Sequence, residues 1–429
     1  MLFKRKSKQK TPRTGNASQT VMRRLDIPTS AVRIGMHVVS LDRPWSEVPL
    51  AFQKFVVEKA EQIRVLQAYC LSVTVDLTET QYQQYQADRQ GSVASRQRGL
   101  PERRSLIEEL PVARAHYLQA KAYISDLLNK VAASGDINLD GVHEVVQNCV
   151  RSIVANPNAM FWLSRIRHED AYTAEHCVRV GVLAITFARF LDLPESDMEI
   201  LGLCGMLHDV GKMKLSPELL NKPGALTPEE WQLVKAHPTF GHELLAADGK
   251  LDPLVKEAAL SHHERMDGSG YPNGLSGNSI GLYARITAIV DAYDAITSDR
   301  PYQKGRSSMD ALRILYQCSG GHFDGDLVQT FITMIGLYPP GSLVQLKSGE
   351  IAVVLATSPA QKLKPVIELV LDAAGNPCPP RVLRLADNPI NTAGEPYAIV
   401  HALPDNSDRF DLKTYIQHRA AGQEKSPST

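Results

Sequence analysis

The stretch Met206-Leu207-His208-Asp209-Val210-Gly211-Lys212 closes an apolar run that begins near Ser196. The spacing of the apolar residues in this run predicts a helix, with Ser196 and Glu199 as a candidate capping box. We expect this helix to end at Gly211, where glycine permits a reversal of the chain. An imidazole and a carboxylate side by side at that end can face one cation, and the ammonium of Lys212 would lie close to it.

Further ligand-type side chains follow on the next helices. His237 precedes Pro238, and proline disfavours helix at the residue before it, so the helix that leads to His237 should break there. His262 and His263 close a helix that begins at Asp252. Adjacent residues of a regular helix point about 100° apart, so both imidazoles can serve one site only if the helix end is distorted or bridges two ions. Residues 267–274, Asp-Gly-Ser-Gly-Tyr-Pro-Asn-Gly, predict a rigid loop at the lip of the site.

A lone histidine in a helical domain is usually a surface or hydrogen-bonded residue, and a single His-Asp pair is weak evidence for a metal. A set of ligand-type residues on successive helix ends is much harder to dismiss. The cysteines are too far apart for a structural zinc site. Mixed histidine and carboxylate ligands suit Mn, Fe, Zn or Ni without choosing among them. The candidates are His176, His208, Asp209, His237, His262, His263 and Asp291, with His322 as a weaker member.

Composition limits the class of protein. The chain has 429 residues, 43% of them hydrophobic, which predicts two to four compact units. Lys+Arg and Asp+Glu are both 47, so the whole chain has no signature of polymeric nucleic-acid binding; residues 1–24 contain eight basic residues and no acid, and the remainder sums to −8. No apolar run approaches the ~18 residues of a membrane helix, and none follows the basic start as in a secretory signal. Six scattered cysteines indicate a reducing, cytoplasmic compartment.

The fold class expected is a multidomain, mainly α protein. The period of the apolar residues is helical from about Pro111 to Gly336, with Thr227, Asp252 and Ser307 as helix starts, and it drops to two beyond Tyr338. We predict a basic disordered leader (1–25), a small α+β domain (26–77), a linker (78–110), a helical domain (111–336), a small β appendage (337–412) and a loose tail (413–429).

These residues together resemble the HD-GYP phosphodiesterases of the HD hydrolase superfamily. The resemblance covers about residues 172–331 and rests on several motifs in the family's order. They are Tyr172-Thr173-x-x-His176, His208-Asp209 with Gly211-Lys212, Lys222-Pro223-Gly224, His262-His263-Glu264, Asp267 to Pro272, Ala284-Arg285-Ile286, Asp291-x-Tyr293-Asp294, Arg300-Pro301-Tyr302 and Phe323-Asp324. Residues 30–76 resemble the small domain of unknown function that often precedes such modules.

The resemblance implies an all-α HD-type bundle that hydrolyses the bacterial second messenger cyclic di-GMP to pGpG, GMP or both. It implies two divalent transition-metal ions, with Fe or Mn favoured and Zn or Ni left open. One ion would be held by His176, His208, Asp209 and Asp291, and the other by His237, His262 and His263, with Asp209 bridging. Lys212 would donate a proton or steady the leaving oxygen. Substrate would contact Arg285, Arg300, Lys304 and the loop residues Gly270, Tyr271 and Pro272.

Two ions suit this chemistry because a phosphodiester is anionic and its alkoxide is a poor leaving group. Two cations about 3.5–4 Å apart can hold a bridging hydroxide and neutralise the developing charge. Some family members place a glutamate four residues before the first histidine and hold a third metal. Here that position is Tyr172, whose phenol is a poor ligand, so we expect two metals.

Two other classes of function remain open. The same pocket could belong to a non-catalytic cyclic di-GMP sensor or protein-interaction module, or it could act on another nucleotide. The sequence also leaves open a homodimer, signalling partners, and a weak contact of the basic N-terminus with a membrane surface.

Overall fold

The computed structural model describes residues 22–41, 45, 48, 53–70, 72–85, 102–165, 172–220, 222, 224–298, 305–357, 363–403, 407 and 409–420. The chain divides into two compact units, residues 1–92 and 93–429. Within the described residues, no helix combines the length and apolar character that crossing a membrane requires.

The first unit is a four-stranded sheet in the order β1-β4-β2-β3, with one helix and a further helical segment. Its core contains Ile27, Val38, Leu66 and Val75, all fully or almost fully buried. The elements are β1 (Met22–Pro28), β2 (His37–Leu41), β3 (Phe55–Val56), α1 (Ala60–Tyr69), β4 (Ser72–Thr78) and α2 (residues 79–85).

The first strand corrects the prediction of a disordered leader over residues 1–25. Residues 22–28 pair antiparallel with the whole of β4, and Arg24 forms a two-pronged ion pair with Asp76. The basic residues here face carboxylates on β4 and α2, a pairing that local composition does not reveal. Residues 1–21 lie outside the described part of the chain.

The boundaries of the predicted linker also differ. Residues 79–85 are helical, and the long helix α3 begins at Leu106, inside the range 78–110. A complete capping box at Ser105 and Glu108 starts this helix, since the serine accepts the Glu108 N–H and the glutamate accepts from the Ser105 N–H and hydroxyl.

The second unit is a helical bundle followed by a five-stranded sheet, which confirms the mainly α fold class. Its apolar core includes the inner faces of α6 and α7, where Val180, Leu201 and Phe187 are buried. The helices are α3 (Leu106–Ser134), α4 (Val142–Ala155), α5 (Pro157–Ser164), α6 (Tyr172–Phe190), α7 (Glu195–Leu207), α8 (Pro217–Leu220), α9 (Pro228–Val234), α10 (His237–Ala246), α11 (Pro253–Ser261), α12 (Leu282–Thr297), α13 (Ser308–Gln317) and α14 (Gly325–Ile335).

Three of the four predicted helix starts in this region are confirmed. Thr227 caps α9 in a reciprocal capping box with Glu230, Asp252 caps α11, and Ser307 caps α13. The capping box expected at Ser196 is wrong, because α7 begins one residue earlier, after Pro194. Pro194 fixes an extended approach to the helix, so the serine lies inside the first turn.

The closing sheet packs against the bundle through a terminal helix that the sequence analysis missed. Strands β5 (Leu343–Leu346), β6 (Ile351–Ala356), β7 (Val366–Leu371), β8 (Pro377–Arg384) and β9 (Ile399–Leu403) are ordered β8-β7-β6-β5-β9. Helix α15 (Leu412–Ala420) follows, and its Tyr415 lies 6.0 Å from Trp162 of α5, ring centroid to ring centroid.

The predicted loose tail over 413–429 is therefore wrong for residues 413–420. Tyr415 and Arg419 both donate to Glu368, a buried carboxylate on β7. The apolar residues of α15 are too few to predict a helix from the sequence. The helix is stabilised by this tertiary contact. Strands β5 and β6 pair antiparallel, in line with the period of two predicted beyond Tyr338.

Candidate metal centre

Close packing of two helices brings the first two candidate histidines together. A Cβ atom on Gly205 of α7 would lie 2.6 Å from the Cα atom of Gly181 on α6, so the backbones touch at these two glycines. His176 lies on α6, and His208 follows directly after the last residue of α7. Both side chains are buried.

The helix before Asp209 ends earlier than predicted. It stops at Leu207, and residues Val210–Lys214 form a 3-10 helix. Gly211 does not reverse the chain through a left-handed conformation. Its role is spatial, because a Cβ atom there would lie 2.0 Å from the carbonyl oxygen of His237, at the start of α10. The glycine thus lets α10 bring His237 to the site.

His176, His208, Asp209 and Asp291 form what we call the carboxylate-rich cluster. His176 Nε2 lies 3.1 Å from an oxygen of Asp291 and 3.6 Å from Asp209 Oδ2. His208 Nε2 lies 3.4 Å from Asp209 Oδ2 and 3.7 Å from Asp291 Oδ1. Two imidazole nitrogens therefore face two carboxylates across a space of a few ångströms, which is the arrangement of a divalent cation site.

Asp209, His237, His262 and His263 form the imidazole-rich cluster. His237 Nε2 lies 3.3 Å from both Asp209 Oδ1 and His262 Nε2, and the four residues offer ligand atoms within 4.8 Å of one another. Helix α11 ends at Ser261, so His262 and His263 occupy a turn. This confirms the expected distortion and explains how two consecutive imidazoles face one centre.

The two clusters share Asp209, whose Oδ2 faces the carboxylate-rich cluster while Oδ1 faces the imidazole-rich one. Each oxygen therefore faces the imidazoles of a different cluster, as a bridging carboxylate requires. Asp209 Oδ1 and His208 Nε2 are fully buried and make no hydrogen bond within the described part of the chain. A buried polar atom without a hydrogen bond is costly, and a cation between the clusters would satisfy both atoms.

Four of the imidazoles turn the same nitrogen, Nε2, toward the site, because Nδ1 of each has a hydrogen-bond partner. His208, His237 and His262 each place Nδ1 within 2.7–2.9 Å of the carbonyl oxygen three residues earlier. His176 places Nδ1 2.7 Å from Asp294 Oδ2. An acceptor at Nδ1 fixes the proton there and leaves the Nε2 lone pair free to bind a cation. All four Nε2 atoms face the shared aspartate, so the donor set fits a divalent metal centre.

The electrostatics of the two clusters differ. Burial alone would lower the pKa of His208, but Asp209 and Asp291 raise it to about 10. Burial lowers the pKa of His263 to about 3. The pKa of His262 lies well below its usual range because of burial and the neighbouring imidazoles. A divalent cation would replace a proton in the first cluster and find neutral imidazoles in the second.

Asp294 is a functional residue that the sequence analysis did not single out as one. Besides His176, its carboxylate accepts two hydrogen bonds from Arg179, at 2.7 and 2.9 Å, and the Arg179 guanidinium also donates to Ser298. Burial would raise the pKa of Asp294, but Arg179 and His176 hold it far below its usual range. Asp294 thereby orients His176. The available signal was its spacing of three residues from Asp291, one turn along α12.

Lys212 lies beside the shared carboxylate. Its ammonium donates to Asp209 Oδ2, and its side chain is 28% exposed, so it reaches from the buried clusters toward solvent. Burial would lower its pKa, but Asp209 and Asp291 raise it above the ordinary value. The lysine is therefore a protonated group at the rim of the centre.

The loop that contains Gly270, Tyr271 and Pro272 is fastened to the end of the imidazole-rich cluster. Glu264, which is buried, accepts from the N–H groups of Asn273 and Leu275 at 2.7 and 3.0 Å. A Cβ atom on Gly270 would lie 2.4 Å from the backbone nitrogen of Arg265. The Tyr271 ring lies 4.8 Å from the His263 ring at 31°. The loop thus places an aromatic ring against the metal centre, and Glu264 is a second residue whose role the sequence analysis missed.

Other predicted site residues are placed elsewhere or are not described. Arg285 pairs with Asp324 at 2.6 Å, beside the start of α14, so its charge is already matched. His322 contributes its carbonyl oxygen to Met266 and belongs to neither cluster. Arg300, Lys304 and the side chain of Tyr172 lie outside the described residues.

The sequence of the chain matches two domain families and several known proteins. An HD domain model matches residues 156–327, and a domain of unknown function (DUF3391) matches residues 24–142. A cyclic di-GMP phosphodiesterase of Pseudomonas aeruginosa is 35% identical over 368 residues, which cover 84% of this chain and 88% of that protein.

Two further relatives match a shorter part of the chain. A cyclic di-GMP phosphodiesterase response regulator of Xanthomonas campestris is 39% identical over 168 residues, covering 39% of this chain and 44% of that protein. A 3'3'-cGAMP-specific phosphodiesterase of Vibrio cholerae is 36% identical over 161 residues, covering 37% of this chain and 31% of that protein. The chain belongs to the HD-GYP family of the HD superfamily.

Proposed function

We propose that this HD-GYP protein is a metal-dependent phosphodiesterase that hydrolyses cyclic di-GMP to pGpG, GMP or both, with two divalent ions. The observation that carries the proposal is Asp209, whose two oxygens face two separate sets of imidazoles. Fe or Mn are the proposed metals, with Zn or Ni as alternatives. His176, His208, Asp209 and Asp291 would hold one ion, and Asp209, His237, His262 and His263 the other.

Two bound ions would polarise the phosphate, activate water and stabilise the leaving alkoxide. The protein supplies the surroundings. The hydrogen bonds on Nδ1 of His208, His237 and His262 hold each Nε2 toward the centre before substrate arrives. The buried surroundings strengthen every electrostatic interaction with a phosphodiester anion.

Lys212 is the proposed source of the proton for the leaving 3′ oxygen. Its ammonium combines a positive charge, contact with Asp209 and partial exposure to solvent. Transfer of that proton would leave a neutral amine beside the Asp209 carboxylate. A group placed to act on charge that develops in the transition state should affect turnover more than ground-state binding.

The full-length match to the Pseudomonas aeruginosa enzyme supports cyclic di-GMP as the substrate. The match to a 3'3'-cGAMP-specific enzyme is shorter, covering 37% of this chain. We therefore propose cyclic di-GMP first, with 3'3'-cGAMP as the second substrate to test. Every ligand position of both clusters holds a histidine or an aspartate, which favours an enzyme over a non-catalytic sensor.

The decisive experiment measures metals and products on the same preparation. Elemental analysis of purified protein should give about two divalent ions per chain, as a bridged pair requires. Chromatography should then show pGpG or GMP appearing from cyclic di-GMP, with 3'3'-cGAMP assayed in parallel. Metal-loaded protein that binds cyclic di-GMP but releases no product would make it a sensor.

A further inference from the structure

An aromatic and cationic surface lies next to the imidazole-rich cluster, on the short helix α9 and the loop after His263. Trp231 is 43% exposed, and its ring centroid lies 6.5 Å from that of Tyr271 at 74°. Tyr271 in turn lies against His263. A continuous row of rings therefore runs outward from the metal centre and ends on an indole that faces solvent.

Lys235 adds a positive charge to this row. Its Nζ lies 5.4 Å from the centroid of the Tyr271 ring and 5.8 Å from that of Trp231. Trp231 and Lys235 are four residues apart, so they lie on the same side of the chain. Within the described residues, no carboxylate forms an ion pair with Lys235, whereas Lys222 nearby is paired with Glu230.

We propose that Trp231 and Lys235 form an outer subsite, which binds one nucleobase of a cyclic dinucleotide by stacking on the indole and its non-scissile phosphate through the ammonium. We call this pair the outer subsite. Its assignment to a cyclic dinucleotide rests on the proposed function. The metal centre would hold the scissile phosphate, and the outer subsite would hold the half of the molecule that does not react. Neither residue belongs to the motifs on which the resemblance rests.

The chemistry of the pair fits this ligand better than a purely structural role. A large exposed indole at the lip of a buried charged centre leaves an apolar face in water, and a purine covers such a face well. Stacking on an aromatic side chain holds any base, because every base has a π-face. An ammonium beside that face, with no carboxylate partner among the described residues, is suited to the negative charge of a phosphodiester.

The test separates binding from chemistry by using two ligands. The first is a hydrolysis-resistant phosphorothioate analogue of cyclic di-GMP, whose Kd is measured by calorimetry. The second is bis(p-nitrophenyl) phosphate, a phosphodiester without a nucleobase, whose kcat at saturating concentration reports on the chemical step at the metal centre. Trp231→Ala, Trp231→Phe and Lys235→Met are compared at equal metal content, with exposed Leu233→Ala on the same helix as the control.

We expect Trp231→Ala to raise the Kd of the analogue about tenfold or more, the lower part of the range for base stacking. Trp231→Phe should recover most of the loss, and Lys235→Met should raise the Kd and weaken its salt dependence. Leu233→Ala should bind the analogue normally and keep the wild-type kcat for bis(p-nitrophenyl) phosphate.

Two results would overturn the outer subsite: wild-type affinity in Trp231→Ala, or equal losses in Leu233→Ala and Trp231→Ala. Failure of the proposed function has a different signature. In that case wild-type protein would turn over bis(p-nitrophenyl) phosphate but not cyclic di-GMP, while the binding measurements would still decide whether Trp231 and Lys235 contact the dinucleotide.

Discussion

The carboxylate-rich and imidazole-rich clusters share one aspartate but stabilise their members in opposite ways. In the first, two carboxylates face two imidazoles, and the pKa of His208 is raised to about 10. In the second, three imidazoles face one carboxylate oxygen, and the pKa of His263 is lowered to about 3. The first cluster is held together by its own charges, whereas the second brings together groups that do not attract one another.

This difference indicates that the two halves of the centre have different requirements. Hydrogen bonds to backbone carbonyl oxygens hold the imidazole-rich cluster in place, because electrostatic attraction among its side chains is small. In the carboxylate-rich cluster a backbone carbonyl orients His208, whereas charged neighbours, Asp294 and Arg179, orient His176. Substitutions that touch both clusters, one cluster or neither should therefore have effects of graded size.

The largest effect is expected for Asp209→Ala, which removes the residue that joins the clusters. Hydrolysis should fall below detection and both ions should be lost, because each cluster loses its shared oxygen ligand. Elemental analysis and product chromatography measure the two effects. Asp126→Ala, which removes an exposed carboxylate on α3, is the matched control. Metal content near the wild-type level would exclude the bridging role.

Lys212→Ala should come next, since it changes the chemistry but neither set of ligands. We expect kcat to fall about 100-fold, the lower part of the range for general acid catalysis, with metal content unchanged. Steady-state kinetics on the metal-loaded variant provide the measurement. A rise confined to KM, with kcat intact, would assign Lys212 to phosphate binding instead.

Asp294→Asn tests whether the first cluster depends on its charged neighbours. Loss of the carboxylate that orients His176 should weaken one metal site by about 10–100-fold and leave the other site unchanged. Competition with a chelator, monitored by elemental analysis, resolves the two ions. Because Arg179 would lose its buried partner, thermal unfolding is followed in parallel, and Asp310→Asn on α13 serves as the control. Equal weakening of both sites would contradict the separate requirements of the clusters.

The smallest effect concerns the choice of metal. Carboxylate oxygen suits Mn better than imidazole does, so Mn²⁺ added to metal-free protein should fill the carboxylate-rich cluster first. We expect two classes of site that differ roughly tenfold in Kd, a difference of the size that ligand surroundings produce. Electron paramagnetic resonance of Mn²⁺ follows the titration. Asp291→Ala should remove the tighter class and His262→Ala the weaker one; the reverse assignment would show that imidazoles dominate Mn²⁺ binding here.

Local signals in the sequence were sufficient to predict where several helices begin or end. Thr227, Asp252 and Ser307 each place an oxygen where a helix begins. The break predicted at His237 lies just before it, because α9 ends at Val234 and His237 begins α10, with Pro238 in its first turn. These features depend on neighbours within four residues, so they could be predicted without the fold. Strand β1 and helix α15 could not, because each is stabilised by partners about 50 residues away.

The sequence by itself determined the types of ligand, the family, and the helix ends on which His208, His237 and His262 lie. Only the tertiary structure decided which ligand faces which, because their positions are set by contacts such as Gly181 with Gly205 and Gly211 with His237. The same holds for Asp294, whose spacing is unremarkable but whose carboxylate meets His176 across two helices. Charge pairing of Arg285 with Asp324 was equally invisible, since residues 39 positions apart become neighbours only when the bundle closes. The type of each ligand can be read from its own position in the sequence, whereas the arrangement of the ligands around a metal depends on how the helices pack.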